Sequence, residues 1–252
     1  MLLTCDIGNS KIKSGFFKGD KISSFKIFED TESLLKFVSG KKITAAAISS
    51  VVPEKLRIFN KEFISRFDFN PTIIYKNSQF NLKIDYKTPG TLGIDRLCSA
   101  EGAFYLYKIK NRYNKNTYII SVDFGTATTI NIVKYNRNFI GGLILPGINM
   151  MFNSLNKETA QLPLVKPSEY INMVGSSTKS SIASGVINAT IGAIKQTIAH
   201  LKQKNDKAVI KIFITGGNAR LILPFLKFEY IYEQGLVLYG IRAVYKNSIK
   251  KE

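Results

Sequence analysis

The chain opens with three short runs rich in apolar and β-branched residues, at 2–6, 11–17 and 21–28. They are broken by Asp6-Ile7-Gly8-Asn9 and by Lys18-Gly19-Asp20. Turn formers between such runs predict three strands joined by tight turns. The apolar spacing then lengthens. Leu34, Leu35 and Val38 predict a helix over 31–38, with Thr31 as its N-cap and Gly40 as its stop. Small residues at 44–48 predict a buried strand. Pro53 suits the first turn of a helix over 54–67, and 71–75 predicts another strand. The sum is β-β-β-α-β-α-β.

A loop over 86–91 leads into a predicted helix over 93–108, whose inward face carries Leu97, Ala100, Phe104 and Tyr107. The polar stretch 110–117 (KNRYNKNT) marks a boundary, giving lobes at 1–115 and 116–252. The plan then recurs. A strand over 118–123 precedes a hairpin of 128–134 and 138–144, turning at Tyr135-Asn136-Arg137. Pro146-Gly147 enters a helix ending near Leu155, and a polar insert runs to about Ser176. A long helix over 179–202 carries Ala183, Gly185, Ala189, Gly192 and Ala193, small residues that permit close helix packing across a dimer axis. A strand over 208–215, a short helix over 219–226 and a closing helix over 235–245 complete the chain.

The repeat extends to chemistry. LLTCDIGNSKIKSGFF at 2–17 and IISVDFGTATTINIV at 119–133 share an apolar run, Asp-x-Gly, a small polar residue and a second β-rich run. Either motif alone reads as an ordinary strand-end turn. Their recurrence predicts two related halves facing each other across a cleft. An Asp at a strand end approaches a phosphate-bound cation, Gly lets the backbone come close, and Asn, Ser or Thr donates to phosphate oxygens. The expected class is a duplicated α/β protein that handles ATP.

Composition removes several classes. No apolar run is long enough to span a bilayer, and the opening MLLTCDIG puts an Asp where a secretory leader is apolar, so a cytoplasmic protein is expected. Cys5 and Cys98 form no CxxC pair and read as buried reduced thiols. The single His, His200, reads as a helix surface residue and leaves no His-based metal site. Lys and Arg number 36 against 18 acidic residues, a formal +18. Because the lysines are scattered rather than blocked, anionic small-molecule substrates are preferred over nucleic acid as the reason. GxxxxGK[ST] is missing, which excludes a P-loop, and no GxGxxG follows the first strand.

Three further segments are candidates. In Thr91-Leu92-Gly93-Ile94-Asp95-Arg96, Asp95 reads either as a helix N-terminal acid favoured by the macrodipole or as the acceptor of a hydroxyl proton during attack on a γ-phosphate. Arg96 beside it suits paired hydrogen bonds to a substrate carboxylate. Thr215-Gly216-Gly217-Asn218 ends a buried strand and lets a ring or ribose lie on the backbone. The half-repeat sets it in correspondence with Ser49-Ser50. Gly141 to Gly147 reads equally as backbone packing and as phosphate contact.

The whole set resembles the type III pantothenate kinase family. The matching pieces are Asp6–Ser10 with Lys13, Tyr86 with Pro89, Gly93–Arg96, Asp123–Thr128, Gly141–Gly147, Thr159–Pro163, Gly175–Thr178 and Thr215–Gly217, in the family's order over nearly the whole chain. The resemblance implies a duplicated ribonuclease H-like fold of the actin, Hsp70 and acetate kinase superfamily. It implies transfer of the ATP γ-phosphate to the primary hydroxyl of pantothenate, the first step toward coenzyme A. By position, Asp95 would be the base. Tyr86, Gly93, Ile94, Asp95, Arg96 and Thr178 would contact pantothenate, Thr178 across a homodimer interface. Asp6, Ile7, Gly8, Asn9, Ser10, Lys11, Ile12, Lys13 and Thr126 would hold ATP. Asp123 would bind a monovalent cation, potassium or ammonium, and magnesium would accompany ATP. Ser10 stands where the family has Thr, and Asn218 where an acidic residue is common. The same family includes proteins named Bvg accessory factors, so a regulatory or nucleic-acid-binding role is the alternative; neither a membrane nor nucleic acid is the expected partner.

Overall fold

The computed structural model describes residues 1–110, 114–170 and 172–249. Residues 111–113 of the boundary stretch and 250–252 of the basic tail lie outside the described residues. The first elements follow the predicted order: β1 (Leu2–Ile7), β2 (Ile12–Lys18), β3 (Lys21–Phe28), α1 (Thr31–Ser39), β4 (Ala45–Ser50), α2 (Pro53–Phe67) and β5 (Thr72–Ile73). They form a five-stranded sheet in the order β3-β2-β1-β4-β5. β2 runs antiparallel to β1 and β3, while β4 runs parallel to β1 and β5.

β1 is buried at every residue after Leu2. A strand buried on both faces needs helices over both. Leu3, Cys5 and Ile7 share one face by the period of two and pack with Leu34, Leu35 and Val38 of α1 and Phe59 and Phe63 of α2. Thr4 and Asp6 therefore point to the other face, which is covered by α3 (Ile94–Lys110) and α7 (Leu236–Ser248). α3 buries Leu97, Ala100, Phe104 and Tyr107 as its spacing predicts.

Where α7 crosses α3, backbone meets backbone. A Cβ on Gly240 would stand 1.9 Å from the Cys98 carbonyl oxygen, and one on Gly102 would stand 2.0 Å from that of Leu236. No side chain fits at either point.

The remaining elements are β6 (Lys83–Ile84), β7 (Thr117–Phe124), β8 (Ala127–Lys134), β9 (Asn138–Pro146), α4 (Ile148–Lys157), α5 (Thr178–Lys204), β10 (Val209–Thr215), α6 (Ala219–Ile222) and β11 (Ile231–Tyr232). Their strands form a second sheet, β11-β10-β7-β8-β9-β6. Without β6, the order β9-β8-β7-β10-β11 repeats β3-β2-β1-β4-β5 element for element. This is the duplicated ribonuclease H-like fold. By internal contacts the chain forms two compact units. The first comprises Met1–Tyr113, Asn131–Gly141 and Gly235–Glu252; the second comprises Asn114–Ile130 and Gly142–Gln234.

Four local features differ from the sequence expectation. Asp30, not Thr31, caps α1, because its carboxylate reaches the Ser33 N–H at 2.7 Å. Bonds from the Ser33 hydroxyl and backbone hold the Asp30 carboxyl below its usual range. The strand at 71–75 contracts to Thr72–Ile73: Pro71 has no N–H, and the Tyr75 N–H is taken by the Ser78 hydroxyl at 2.9 Å. The helix over 219–226 ends at Ile222 and tightens into a 3-10 turn around Pro224. α5 starts at Thr178, one residue early, because Ser177 and Ser180 form a reciprocal capping box.

The α3–α7 crossing makes a sharp prediction. Gly240→Ala must push the two backbones apart, and should cost at least the ~1–3 kcal/mol typical of overpacking. Urea denaturation checks it; an unchanged midpoint would mean that the crossing is not as tight as described.

Candidate active site

In the first unit, β1 delivers Asp6 to a buried position, 6% exposed. Its neighbours are set by register: Lys13 opposes it on β2 and Ser49 opposes it on β4. The Ser49 hydroxyl donates to Asp6 Oδ1 at 3.0 Å. The chain then turns, closed by the Gly8 N–H donating to the Lys11 carbonyl at 3.0 Å. Asn9, Ser10 and Lys11 are exposed on this turn. Lys11 pairs with Glu29, and Lys55 of α2 donates Nζ to the Asn9 carbonyl at 2.7 Å. Cationic groups therefore gather at a turn with exposed hydroxyl and amide side chains, an arrangement suited to phosphate oxygens. Ile7 and Ile12 flank the turn but are fully buried in the core. Only their backbone is available to a ligand.

The second element of this unit is the start of α3. Asp95 lies in its first turn and is half-buried. Its Oδ1 accepts the Arg96 N–H at 2.9 Å. A Cβ on Gly93 would stand 2.4 Å from that same oxygen, so the folded-back carboxylate depends on glycine there. Ile94, also buried, anchors the turn. Cys98, one turn on, reports what surrounds it: burial raises its thiol pKa most, followed by the negative charges of Asp6, Asp95 and Glu101. Asp6 and Asp95 thus lie near one buried thiol, which stays protonated. Burial and the charge of Asp6 raise the Cys5 thiol likewise. Both cysteines are free and buried, as expected from the sequence.

Arg96 points inward, 5% exposed. Its Nε donates to Asn131 Oδ1 at 2.7 Å. Its guanidinium carbon lies 6.0 Å from the Tyr86 ring centroid and 5.9 Å from that of Phe139. Nη2 is buried with no hydrogen-bond partner among the described residues. A desolvated guanidinium with a spare N–H beside two rings has the chemistry to pair with an anion. Tyr86 is itself positioned. Its ring packs on Phe139 at 6.1 Å, and the Asp85 N–H donates to the Phe139 carbonyl at 2.9 Å. Further back, buried Glu101 accepts from Asn81 N at 3.1 Å, Leu82 N at 3.2 Å and Asn81 Nδ2 at 2.5 Å. Burial raises the Glu101 pKa, and these three donors oppose the rise.

In the second unit, Asp123 takes the place that Asp6 has in the first. It opposes Thr215 across the β7–β10 register, as Asp6 opposes Ser49. Gly216 follows with φ of 105°, and a Cβ there would stand 2.5 Å from Asp123 Oδ1. Asn218 closes the loop after Asp123: its N–H donates to the Phe124 carbonyl at 3.0 Å and its Nδ2 to the Gly125 carbonyl at 3.2 Å. Asn149 Nδ2 in turn donates to Asn218 Oδ1 at 3.4 Å. Gly147 packs its bare Cα against the Thr126 carbonyl, 2.0 Å from a would-be Cβ, which favours the packing reading of that glycine. Thr126 and Thr178 are both exposed, Thr178 on the first residue of α5. His200 is exposed on the same helix. Among the described residues no group of three or more His, Cys, Asp or Glu side chains could hold a metal ion.

Four contributors had no local signal: Ser49, Lys55, Asn131 and Glu101. Each meets its partner across 43, 46, 35 or about 20 residues of chain. Tertiary packing, of strands for Ser49 and Asn131 and of helices for Lys55 and Glu101, brings them in. Ser49 alone was within reach of sequence reasoning, as the counterpart of the Thr-Gly-Gly segment.

Comparison with known proteins identifies the family. The type III pantothenate kinase family model matches residues 2–200. The chain is 37% identical to a type III pantothenate kinase of Thermosipho africanus, over 98% of this chain and 99% of that protein. It is 32% identical to one of Sulfurihydrogenibium sp., over 96% and 98%. Among solved structures, a Baf family transcriptional activator from Campylobacter jejuni superposes with a TM-score of 0.58 at 20% identity, covering 98% of this chain and 99% of that one. A glucokinase from an Antarctic psychrotroph superposes at 0.50 with 13% identity, covering 98% of each. At such identities the two structures speak for the fold alone. The chain belongs to the type III pantothenate kinase family.

Proposed function

We propose that the protein transfers the γ-phosphate of ATP to the primary hydroxyl of pantothenate, giving 4'-phosphopantothenate for coenzyme A synthesis. The observation that carries this reading is the adjacency of Asp95, a half-buried carboxylate, to Arg96, a buried guanidinium with a spare Nη2. One residue suits a hydroxyl and the next suits a carboxylate, and pantothenate offers both. Tyr86 and Phe139 fix the guanidinium, and Gly93 and Ile94 shape the turn. Asp95 orients the hydroxyl and accepts its proton late, as phosphoryl transfer through a loose transition state requires. Asp6, the backbone of 7–12, and the side chains of Asn9, Ser10, Lys11 and Lys13 are assigned to ATP phosphates in the first unit, with Thr126 in the second.

Asp123 is assigned to potassium or ammonium. The carboxylate faces glycine backbone at 125 and 216, and a Cβ at 216 would fill the space beside its oxygen. A carboxylate beside bare glycine backbone suits a monovalent cation, which would supply positive charge beside a triphosphate. Magnesium is assigned to the nucleotide; held by one or two carboxylates and phosphates, it needs no cage of side chains.

Three finer readings accompany the function. The lobes are assigned to 1–115 and 116–252, following the repeat. The protein is read as cytoplasmic; no helix among the described residues is long and apolar enough to cross a membrane. It is read as a homodimer, with Thr178 serving pantothenate across the interface. Supporting the dimer, Ser181, Gly185, Ala189 and Gly192 lie exposed along one face of α5. A Cβ on either glycine meets nothing within 4 Å. Beside them runs an apolar groove of about 670 Å³ lined by Met150, Leu155, Ile182 and Val186. The regulatory alternative is not favoured, since it leaves Asp95 and Arg96 without a task.

Three tests follow from the assigned roles. ADP release should depend on pantothenate and be stimulated by potassium over sodium, and Asp95→Asn should lower kcat by ~10²–10⁴ with little change in KM. A kcat near wild type would remove Asp95 from the chemistry. Arg96→Met should raise the KM for pantothenate ~10–100-fold while leaving that for pantothenol, which lacks the carboxylate, nearly unchanged. An equal loss for both would assign Arg96 to stability instead. Gly185→Glu should convert a dimer into a monomer in sedimentation velocity with the melting temperature of the monomer retained; a dimer unaffected by it would move the interface elsewhere.

A further inference from the structure

A second cavity, of about 940 Å³, lies within the first unit at the far end of α3. Lys108 on its edge is thirteen residues beyond Asp95, ~20 Å along the helix. No motif of the sequence points to it and the kinase reading makes no use of it.

Its chemistry centres on Arg242 of α7, only 4% exposed. Nη1 donates to the Tyr105 hydroxyl at 2.8 Å, and Nη2 donates to the Gly19 carbonyl at 2.8 Å and pairs with Asp20. The guanidinium lies over the Phe17 ring at 5.2 Å and the Tyr105 ring at 5.7 Å. These contacts hold the fork in one orientation. Nε is buried and has no hydrogen-bond partner among the described residues. Lys108 and Lys246, both exposed, also line the cavity. The lining thus carries three cations, Lys108, Arg242 and Lys246, against the single carboxylate of Asp20. Phe104 and Phe17 add an apolar wall.

We propose that this cavity binds a small organic anion, a phosphate monoester or carboxylate borne on an aromatic or branched aliphatic body. The anionic end is specified by a pre-oriented guanidinium and by the two exposed lysines beside it, which leave the lining with more positive than negative charge. The body is specified by the apolar wall and by a volume that suits a drug-sized molecule rather than a bare ion. The proposal is independent of the phosphoryl-transfer reading, since it concerns binding at a site on the opposite end of the helix.

The test uses phenyl phosphate as the probe, titrated into the full chain at low salt while the backbone amide resonances of Tyr105 and Ala243 are followed by NMR. Saturable shifts at both amides are expected, with binding in the millimolar range or tighter. Phenol, the neutral body, should produce none. Lys108→Glu with Lys246→Glu, two exposed substitutions, should weaken binding at least about tenfold. Arg242→Lys should do so too, with the melting temperature recorded to separate a lost ligand from a lost fold. The proposal is overturned if Tyr105 and Ala243 do not respond, if phenol binds as well as phenyl phosphate, or if the double lysine variant binds with unchanged affinity. Inorganic phosphate matching phenyl phosphate in affinity would also overturn it, by showing an adventitious ion only.

Discussion

The contact of peptide backbone with peptide backbone where α7 crosses α3 is the constraint on which the first unit depends. Helices that approach through side chains keep some freedom to slide and tilt. Here Gly240 rests on the Cys98 carbonyl and Gly102 on the Leu236 carbonyl, and no layer of side chains remains to adjust. α3 is therefore fixed along its length. Its first turn presents Asp95 and Arg96, its middle presents Glu101 to the segment that leads to Tyr86, and its last turns line the cationic cavity. Asp95 and Arg96 thus stand on a helix whose backbone is locked against a neighbour, which limits how far either group can shift.

The sequence made the fold legible because both halves are written with the same grammar. An apolar run, Asp-x-Gly, two further strands, a helix and a buried parallel strand occur twice, and the two sheet orders match strand for strand once β6 is set aside. The pattern was clearest where burial is complete. β1 and β4 and the inward face of α3 are read directly from their apolar residues. It failed where a segment takes its structure from a neighbour. β6 and β11 are two residues each and exist only because β9 and β10 offer a free edge. β5 lost its predicted length to a proline and to one serine hydroxyl competing for a backbone N–H. The choice of Asp30 over Thr31 as a cap turned on the reach of one carboxylate, which composition does not encode.

The site was legible to the extent that its residues sit at strand ends and helix starts. Asp6, Asp95, Arg96 and Asp123 occupy such places, and the correspondence of Asp6 with Asp123 extends to their cross-strand partners Ser49 and Thr215. What stayed hidden was the supporting layer. Asn131 holds Arg96, Glu101 holds the approach to Tyr86, and Lys55 reaches the first turn, each through a contact between distant parts of the chain. Asn218 was legible only as a departure from a family pattern; its bonds to Phe124 and Gly125 give it a task, the closing of the loop that follows Asp123. Arg242 was not singled out at all, because a lone arginine inside an apolar helix carries no signature until its surroundings are known.

The composition of the first unit has a consequence for the way the protein comes into being. Its central strand, β1, leaves the ribosome more than two hundred residues before α7, a helix that covers one face of that strand. Arg242 meets Gly19 across 223 residues of chain. Until α7 emerges, the Thr4–Asp6 side of β1 has only α3 over it and the face of α3 that meets α7 is bare, whereas the second unit already has all of its segments by Gln234. Folding cannot proceed simply from the N-terminus forward. The unit begun first is completed after the other, and a cut between Gln234 and α7 would take from it the helix that packs along α3 and over β1.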